Sequence, residues 1–297
     1  MKIKRAILDF SAICFAQFYG SVLRDDMLES DEEKIHFFKH CVLNKLADIQ
    51  KTLKVNETII AVDSSSWRKD HFEFYKAARA IKRAEKPLET NLAYACINEL
   101  VKDLSNLNYK VVQVDGAEAD DIIGVLCSQF ANCDITEIVY IVSGDKDFQQ
   151  LTSDKIKLFD HKEMKVINCE DKDRFMVEMI LRGDTADGIP NVLSDDDTFI
   201  NSDKRQKQLR KTKIDEILSI GIDKYKNTDA NFAKNYDRNK KLIVLSEEFI
   251  PENIWCKIKE EYDTINANYK KKNAIIIGNW FRCNNLNGLL EKVDYLI

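Results

Sequence analysis

The chain has 297 residues, more than one core usually serves, so one large domain with a smaller companion is expected. An apolar fraction of 44% supplies a real core, and the 32% of charged residues carry both signs. The net charge of −5 excludes a uniformly basic nucleic-acid coat, but it is compatible with an acidic pocket between basic flanks. The 8 cysteines are scattered with no C-x-x-C pair, mostly inside apolar segments, and read as buried free thiols of a reducing compartment. No apolar stretch reaches the ~18 residues of a membrane span. With 9 Gly and 3 Pro there is no linker or low-complexity segment, and no internal repeat is visible.

The N-terminal "MKIKRAILDFSAICFAQF" has the superficial look of a signal peptide, but Asp9 interrupts its apolar run and no clean cleavage site follows, so secretion is not expected. Four nearly continuous Ile/Val/Leu runs, at 5–10, 57–63, 109–115 and 137–143, with a weaker fifth at 155–160, have the pattern of strands buried on both faces. Helix-length stretches separate them: roughly 33–54, then 68–107 with a break near Pro87, then 117–132. Strand alternating with helix predicts an α/β fold with a mostly parallel central sheet flanked by helices. Past residue 161 the strand signal fades. A helix is expected to run to Leu181, and others near 213–220 and 228–246, giving an α-helical C-terminal subdomain. The domain reading is therefore 1–185 and 186–297.

The acids follow the strands. Asp9 and Asp63 end the first two runs. Asp115 closes the third, with Glu118, Asp120 and Asp121 just beyond, and Asp145 and Asp147 follow the fourth in "IVSGDKDFQQL". A single Asp after a strand is an ordinary turn-former or helix cap. Four segments delivering carboxylates to the C-terminal edge of one parallel sheet, where such sheets bind ligands, are not. Two like charges ~5 Å apart cost about 3 kcal/mol at an effective dielectric near 20, so something must offset them. An all-oxygen set without His or Cys partners suits Mg²⁺ or Mn²⁺, and many carboxylates imply more than one ion, the usual device for phosphodiester hydrolysis. His36 and His40 have the one paired-histidine spacing and read as a solvated helix face. The segment 67–86, "WRKDHFEFYKAARAIKRAEK", interleaves seven cations with Trp67, Phe72, Phe74 and Tyr75. Helical spacing puts Phe72, Tyr75 and Arg79 on a related face. Beside a carboxylate cluster this points to phosphates and unpaired bases.

The blocks "ILDFS", "AVDSSSWRKD…YKAAR", "AEADDIIGVL", "VSGDKDFQQL" and "ILRGDTADGIPNV" resemble, in order and spacing, those of the flap endonuclease/5′-nuclease superfamily, most of all its phage ribonuclease H members. The resemblance runs from about residue 5 to 192, and more loosely beyond. It implies a PIN-like core with a helical arch at about 64–95 and a helical DNA-binding C-terminal part. It implies a metal-dependent 5′-to-3′ exonuclease and flap endonuclease with ribonuclease H activity, using two Mg²⁺ ions for which Mn²⁺ substitutes. Asp9, Asp63, Glu118, Asp120 and Asp145 match the first metal site or its surroundings, and Asp147, Asp184 and Asp187 the second. Asp121 matches the outer shell or the helix start. Asp145 is expected to be catalytic, as are Lys76 and Arg79, which would meet the scissile phosphate in the arch while Tyr75 stacks on a base and Arg83 adds charge.

Two departures matter. Cellular relatives follow I-P-G-V with a Gly-rich helix-hairpin-helix that binds duplex backbone through potassium. Here that glycine pattern is missing, and the basic run Lys204, Arg205, Lys207, Arg210, Lys211 and Lys213 is expected to grip duplex phosphates instead. No sliding-clamp peptide is evident in "EKVDYLI", and "SDDDTF" at 194–199 reads as a solvated loop rather than a calcium loop. By the same resemblance the expected partners are DNA and RNA–DNA hybrids with 5′ ends or flaps, and a replisome's single-stranded-DNA-binding protein and sliding clamp. The expected state is a cytoplasmic monomer, in the host cytoplasm for a phage product. Two other readings stand beside it. A PIN-like ribonuclease would have fewer acids and a shorter chain. A structure-specific DNA-binding protein with a degenerate site would have lost some of the matched acids, and none is missing.

Overall fold

The computed structural model describes residues 2–297. Six strands form one sheet: β1 (Ile3–Asp9), β2 (Glu57–Ala61), β3 (Lys110–Val112), β4 (Thr136–Val142), β5 (Ile156–Asp160) and β6 (Lys165–Ile167). Their order is β3-β2-β1-β4-β5-β6, all neighbours parallel except the antiparallel β5–β6 pair. The five expected strands are present, because Ile, Val and Leu on both faces leave no side to give to water. The sixth follows a tight turn with Met164 at φ +52° and, at three largely exposed residues, is too short to signal itself.

The chain divides into two compact units that interleave in sequence. One comprises the segments up to Ser65, Leu88–Asn168 and Asn253–Ile297; the other comprises Ser66–Pro87 and Cys169–Glu252. These do not follow the single division at 185/186 expected from the sequence, because the last 45 residues pack back on the sheet-bearing unit. There Tyr109 donates to the Leu296 carbonyl (2.8 Å), and Phe281, Leu289 and Leu296 are fully buried among Ile13, Phe18, Phe38 and Leu43.

In the sheet-bearing unit the helices are α1 (Phe10–Gly20), α2 (Asp31–Leu53), α4 (Pro87–Asn106), α5 (Ala119–Ala131), α10 (Glu252–Ala267), α11 (Ala274–Cys283) and α12 (Val293–Leu296). Ser30 and Glu33 close a capping box at the start of α2, and Lys54 ends it in the left-handed region. His36 is exposed, as a solvated helix face requires, and meets the Asn285 carbonyl at 3.3 Å, while His40 is half-buried. All eight cysteines are free, but only Cys14, Cys96 and Cys127 are fully buried. No helix among the described residues is long and apolar enough to cross a membrane.

At the N-terminal ends of the strands, Glu57 is shared by Arg5 (2.6 Å), Lys110 and the Tyr262 hydroxyl (2.9 Å), while Arg5 also donates to Thr136 (2.6 Å). Burial pushes the Glu57 carboxyl up, but Lys110 and Arg5 outweigh it and hold it below its ordinary range. Glu57→Ala leaves two buried cations without a counter-charge. The expected loss is about 3–5 kcal/mol in chemical denaturation, with cleavage by the folded fraction intact.

The second unit contains α3 (Ala77–Glu85), α6 (Lys172–Arg182), α7 (Lys211–Ile220), α8 (Ile222–Thr228) and α9 (Ala230–Ile243) around Ile180, Leu181, Ile214, Ile217 and Phe232. The expected helix from 68 begins only at Ala77. Trp67–Asp70 is a 3₁₀ turn, and Lys76 is left-handed at φ +56°. Phe72 and Tyr75 explain the change: both are buried with Met179, Ile189, Leu242 and Ile243, which a continuous exposed helix would not allow.

Candidate functional site

The strand order 3-2-1-4-5 reverses between β1 and β4, and at that switch the carboxyl ends of the strands leave a crevice. Asp9 is the last residue of β1 and the cap of α1. Its carboxylate accepts from Ala12 N (3.2 Å) and the Ser143 hydroxyl (2.7 Å). On one side stands Asp63, just past β2, whose Oδ1 accepts from Ala119 N (2.8 Å) at the start of α5. On the other stands Asp145, past β4, whose Oδ1 accepts from Asp147 N (2.9 Å). Asp63 and Asp145 are exposed, while Asp9 is buried.

Burial pushes the Asp9 carboxyl up to about 7. Asp63 and then Asp145 add to the rise, against the Ser143 and Ala12 hydrogen bonds. Three carboxylates on neighbouring strand ends therefore share a surplus of negative charge. Their donors are all hard oxygens, which suits a hard divalent cation. Among the described residues no three such side chains are yet gathered on one point as a bound ion would draw them.

The raised Asp9 value has a stability consequence of definite sign. A carboxyl at about 7 in the fold and 3.8 unfolded contributes stability that is full below pH ~4 and lost as pH rises to about 7. His161 works oppositely, because burial, Lys45 and Lys162 lower it to about 4. Asp9→Asn isolates the first effect, since Asn keeps an acceptor for Ala12 N. In EDTA the variant should gain on the wild type by a few kcal/mol between pH 5 and pH 8, read as the difference between their denaturation midpoints.

Glu118 is buried at the N-cap of α5, where Asp121, fully buried, accepts from Glu118 N (3.0 Å) and so serves the helix start. Asp120 sits in the first turn of the same helix. Asp115 is exposed and accepts from Ser65 (2.8 Å), which in turn accepts from Gly116 N (2.9 Å), a latch between two loops. Ser143 also belongs to the candidate site, although its sequence does not mark it as an acid does. It is fully buried, donates to Asp9 and accepts from Asp145 N (3.0 Å), linking two carboxylates through one hydroxyl. Its place between a buried strand and Gly144 was the signal available.

In the second unit, Asp184 and Asp187 lie on the turn after α6. Asp184 accepts from Ala186 N (2.7 Å), and burial, then Asp187, hold its carboxyl above the usual range. Asp187 receives the Tyr75 hydroxyl (2.9 Å), Arg79 (2.9 Å) and Lys76 (3.6 Å), and its carbonyl accepts from Lys76 N (2.7 Å). The segment 74–79 thus docks on 184–188, bringing together five residues the sequence had singled out. Tyr75 is 3% exposed, so its ring is packed here rather than presented for stacking. Arg83 is exposed on α3.

The description 5′-3′ exonuclease, N-terminal resolvase-like domain, matches residues 4–178, and that of the T4 RNase H C-terminal region matches 171–295. Ribonuclease H of Enterobacteria phage T4 is 27% identical over 267 residues, 85% of this chain and 86% of that protein. A flap endonuclease Xni from Shewanella woodyi is 35% identical over 138 residues, 44% of this chain and 51% of its own. A T5 5′-exonuclease with bound divalent metal ions superposes with a TM-score of 0.66 at 15% identity, covering 88% of this chain and 99% of that one. A bacteriophage T5 flap endonuclease complexed with DNA and metal ions gives 0.64 at 16% identity, covering 88% and 98%. At such identities these two structures speak for the fold.

Proposed function

From a chain that belongs to the 5′-3′ exonuclease family and is a nuclease, we propose a divalent-metal-dependent 5′-to-3′ exonuclease and flap endonuclease that cuts DNA and RNA–DNA duplexes at 5′ ends and flaps, as in removing RNA primers during replication. The observation that carries this reading is Asp9, buried at the sheet's switch point between Asp63 and Asp145, its carboxyl pushed up first by burial and then by their charge. Asp9, Asp63, Glu118, Asp120 and Asp145 are the proposed surroundings of a first Mg²⁺, and Asp184 with Asp187 the proposed ligands of a second. When bound, such ions lower the pKa of the attacking water and stabilise the leaving 3′ oxygen.

The protein's own residues supply the rest. Ser143 holds Asp9 and the Asp145 loop in register. Lys76 and Arg79, both paired with Asp187, are proposed to exchange that partner for a substrate phosphate, whose developing charge they then stabilise. A 5′-labelled flap and a nicked RNA–DNA hybrid, each incubated with Mg²⁺ and with EDTA, test the reading. Cuts near the junction or the 5′ end that need metal and leave 5′-phosphate and 3′-hydroxyl ends are expected. Flap binding without cleavage in any divalent metal would replace it with the DNA-binding reading.

A further inference from the structure

The cations of the run 204–213 lie exposed or half-buried, and Arg83 lies exposed, where a nucleic acid can reach them. Tyr75 differs. Its ring is 3% exposed and packs with Phe72, Met179, Ile189, Leu242 and Ile243 inside the second unit, so it offers no face to a base. What it does present is its hydroxyl, which donates to Asp187 Oδ2 at 2.9 Å.

Two cations act on the same carboxylate, and neither resembles Tyr75. Arg79 Nη2 lies 2.9 Å from Oδ1 and Lys76 Nζ 3.6 Å from Oδ2. Both sit on long stems, with side chains 41% and 21% exposed, and both can swing toward a substrate phosphate. A divalent ion on Asp187 would repel each of them. The Tyr75 hydroxyl is neutral and is not repelled. Packing of the ring fixes its two side-chain torsions, so the hydroxyl keeps its place. One donor occupies one of the about four lone-pair positions of a carboxylate and leaves the others for a cation. The backbone around this bond is fixed as well. Tyr75 N donates to the Phe72 carbonyl (3.0 Å), Lys76 N to that of Asp187 (2.7 Å) and Ile189 N to that of Asp184 (2.7 Å). A ligating carboxylate depends on such an outer partner for its orientation.

We propose that Tyr75 is a positioning residue, whose hydroxyl holds the Asp187 carboxylate in the orientation that takes the second divalent cation, and that it does this in place of stacking on a base. This rests on the nuclease reading and names the residue of this chain that prepares its second metal site. Lys76 and Arg79 leave Asp187 when a phosphate draws them away, and Tyr75 stays.

The test counts Mn²⁺ bound to the full chain without substrate, from the electron paramagnetic resonance of the free ion. Asp184→Asn marks the binding step that belongs to the second site. Tyr75→Phe keeps the ring and removes only the hydroxyl, and should weaken that step about tenfold while leaving the other unchanged. Arg79→Gln removes a cation from the same carboxylate and should not weaken it. In flap cleavage, Tyr75→Phe should lose rate at limiting Mg²⁺ and recover it at saturating Mg²⁺, with KM for the flap within about twofold of wild type, a rescue that a merely structural defect would not show. If Tyr75→Phe fails to fold, meta-fluorotyrosine in place of Tyr75 keeps the hydroxyl bond. Its fluorine resonance should then move on adding Mg²⁺, but not in the Asp184→Asn background. A folded Tyr75→Phe protein with the wild-type second step, an equal weakening in Arg79→Gln, a fluorine resonance indifferent to Mg²⁺, or no step sensitive to Asp184→Asn overturns the proposal. Metal-dependent flap cleavage by the wild type is read separately and decides the nuclease reading, which survives the loss of this one.

Discussion

Asp145→Asn should lower kcat/KM for flap cleavage by about 10³-fold, a loss of roughly 4 kcal/mol of transition-state stabilisation, while leaving the protein folded. Asn retains the Oδ1 that accepts from Asp147 N at 2.9 Å, so the cap of the 3₁₀ turn at Lys146–Leu151 survives. What is lost is one of the charges that act on Asp9. For the same reason the variant's melting temperature in EDTA should not fall below that of the wild type. Steady-state kinetics on a labelled flap together with a thermal melt separate the two effects. A variant that cuts at near wild-type rate would show that the carboxylate has no part in the chemistry.

Gly183→Ala should destabilise the second unit by about 3–5 kcal/mol, about 10 °C in melting temperature. Gly183 ends α6 at φ +66°, ψ −168°, a region that side chains rarely tolerate. An added Cβ would lie 2.3 Å from the Ile189 carbonyl oxygen and 2.6 Å from that of Pro190, and backbone cannot swing aside. Gly221→Ala is the control. Its φ is +92°, but nothing lies within 4 Å of an added Cβ, so only the backbone strain remains and the loss should be smaller. Calorimetry or hydrogen exchange within residues 169–252 would register both. Equal losses for the two variants would show that the close approach at Gly183 carries no energetic weight.

The legible parts of the fold were those set by local pattern. Continuous Ile/Val/Leu runs mark β1, β2 and β4 because a strand covered on both faces has no polar positions, and the break at Lys86 was visible as Pro87. The helix α1 was not foreseen, since "FSAICFAQF" is apolar on every side and has no amphipathic period. Strand order, which places Asp9 between Asp63 and Asp145, depends on crossovers that a sequence does not display. The return of α10–α12 to the first unit is equally hidden, because an amphipathic helix announces an apolar face but not its partner. At the candidate site the carboxylates were readable as acids after strands. The Lys76, Arg79 and Tyr75 contacts to Asp187 were not, because they join segments more than a hundred residues apart. Ser143 escaped because its role lies in what it bridges rather than in its own chemistry.

The central claim is that the carboxylates at the switch point of the sheet take a divalent cation. It is tested most directly by calorimetric titration of Mn²⁺ into the metal-free protein at pH 6 and pH 8, for the wild type and for Asp9→Asn. Cation binding must displace the proton that Asp9 holds up to about 7. The wild type should therefore bind Mn²⁺ about tenfold more tightly at pH 8 than at pH 6 and release protons at the lower pH, whereas Asp9→Asn should bind weakly at both. Equal Mn²⁺ affinity in the two proteins, unchanged between the two pH values, would contradict the account.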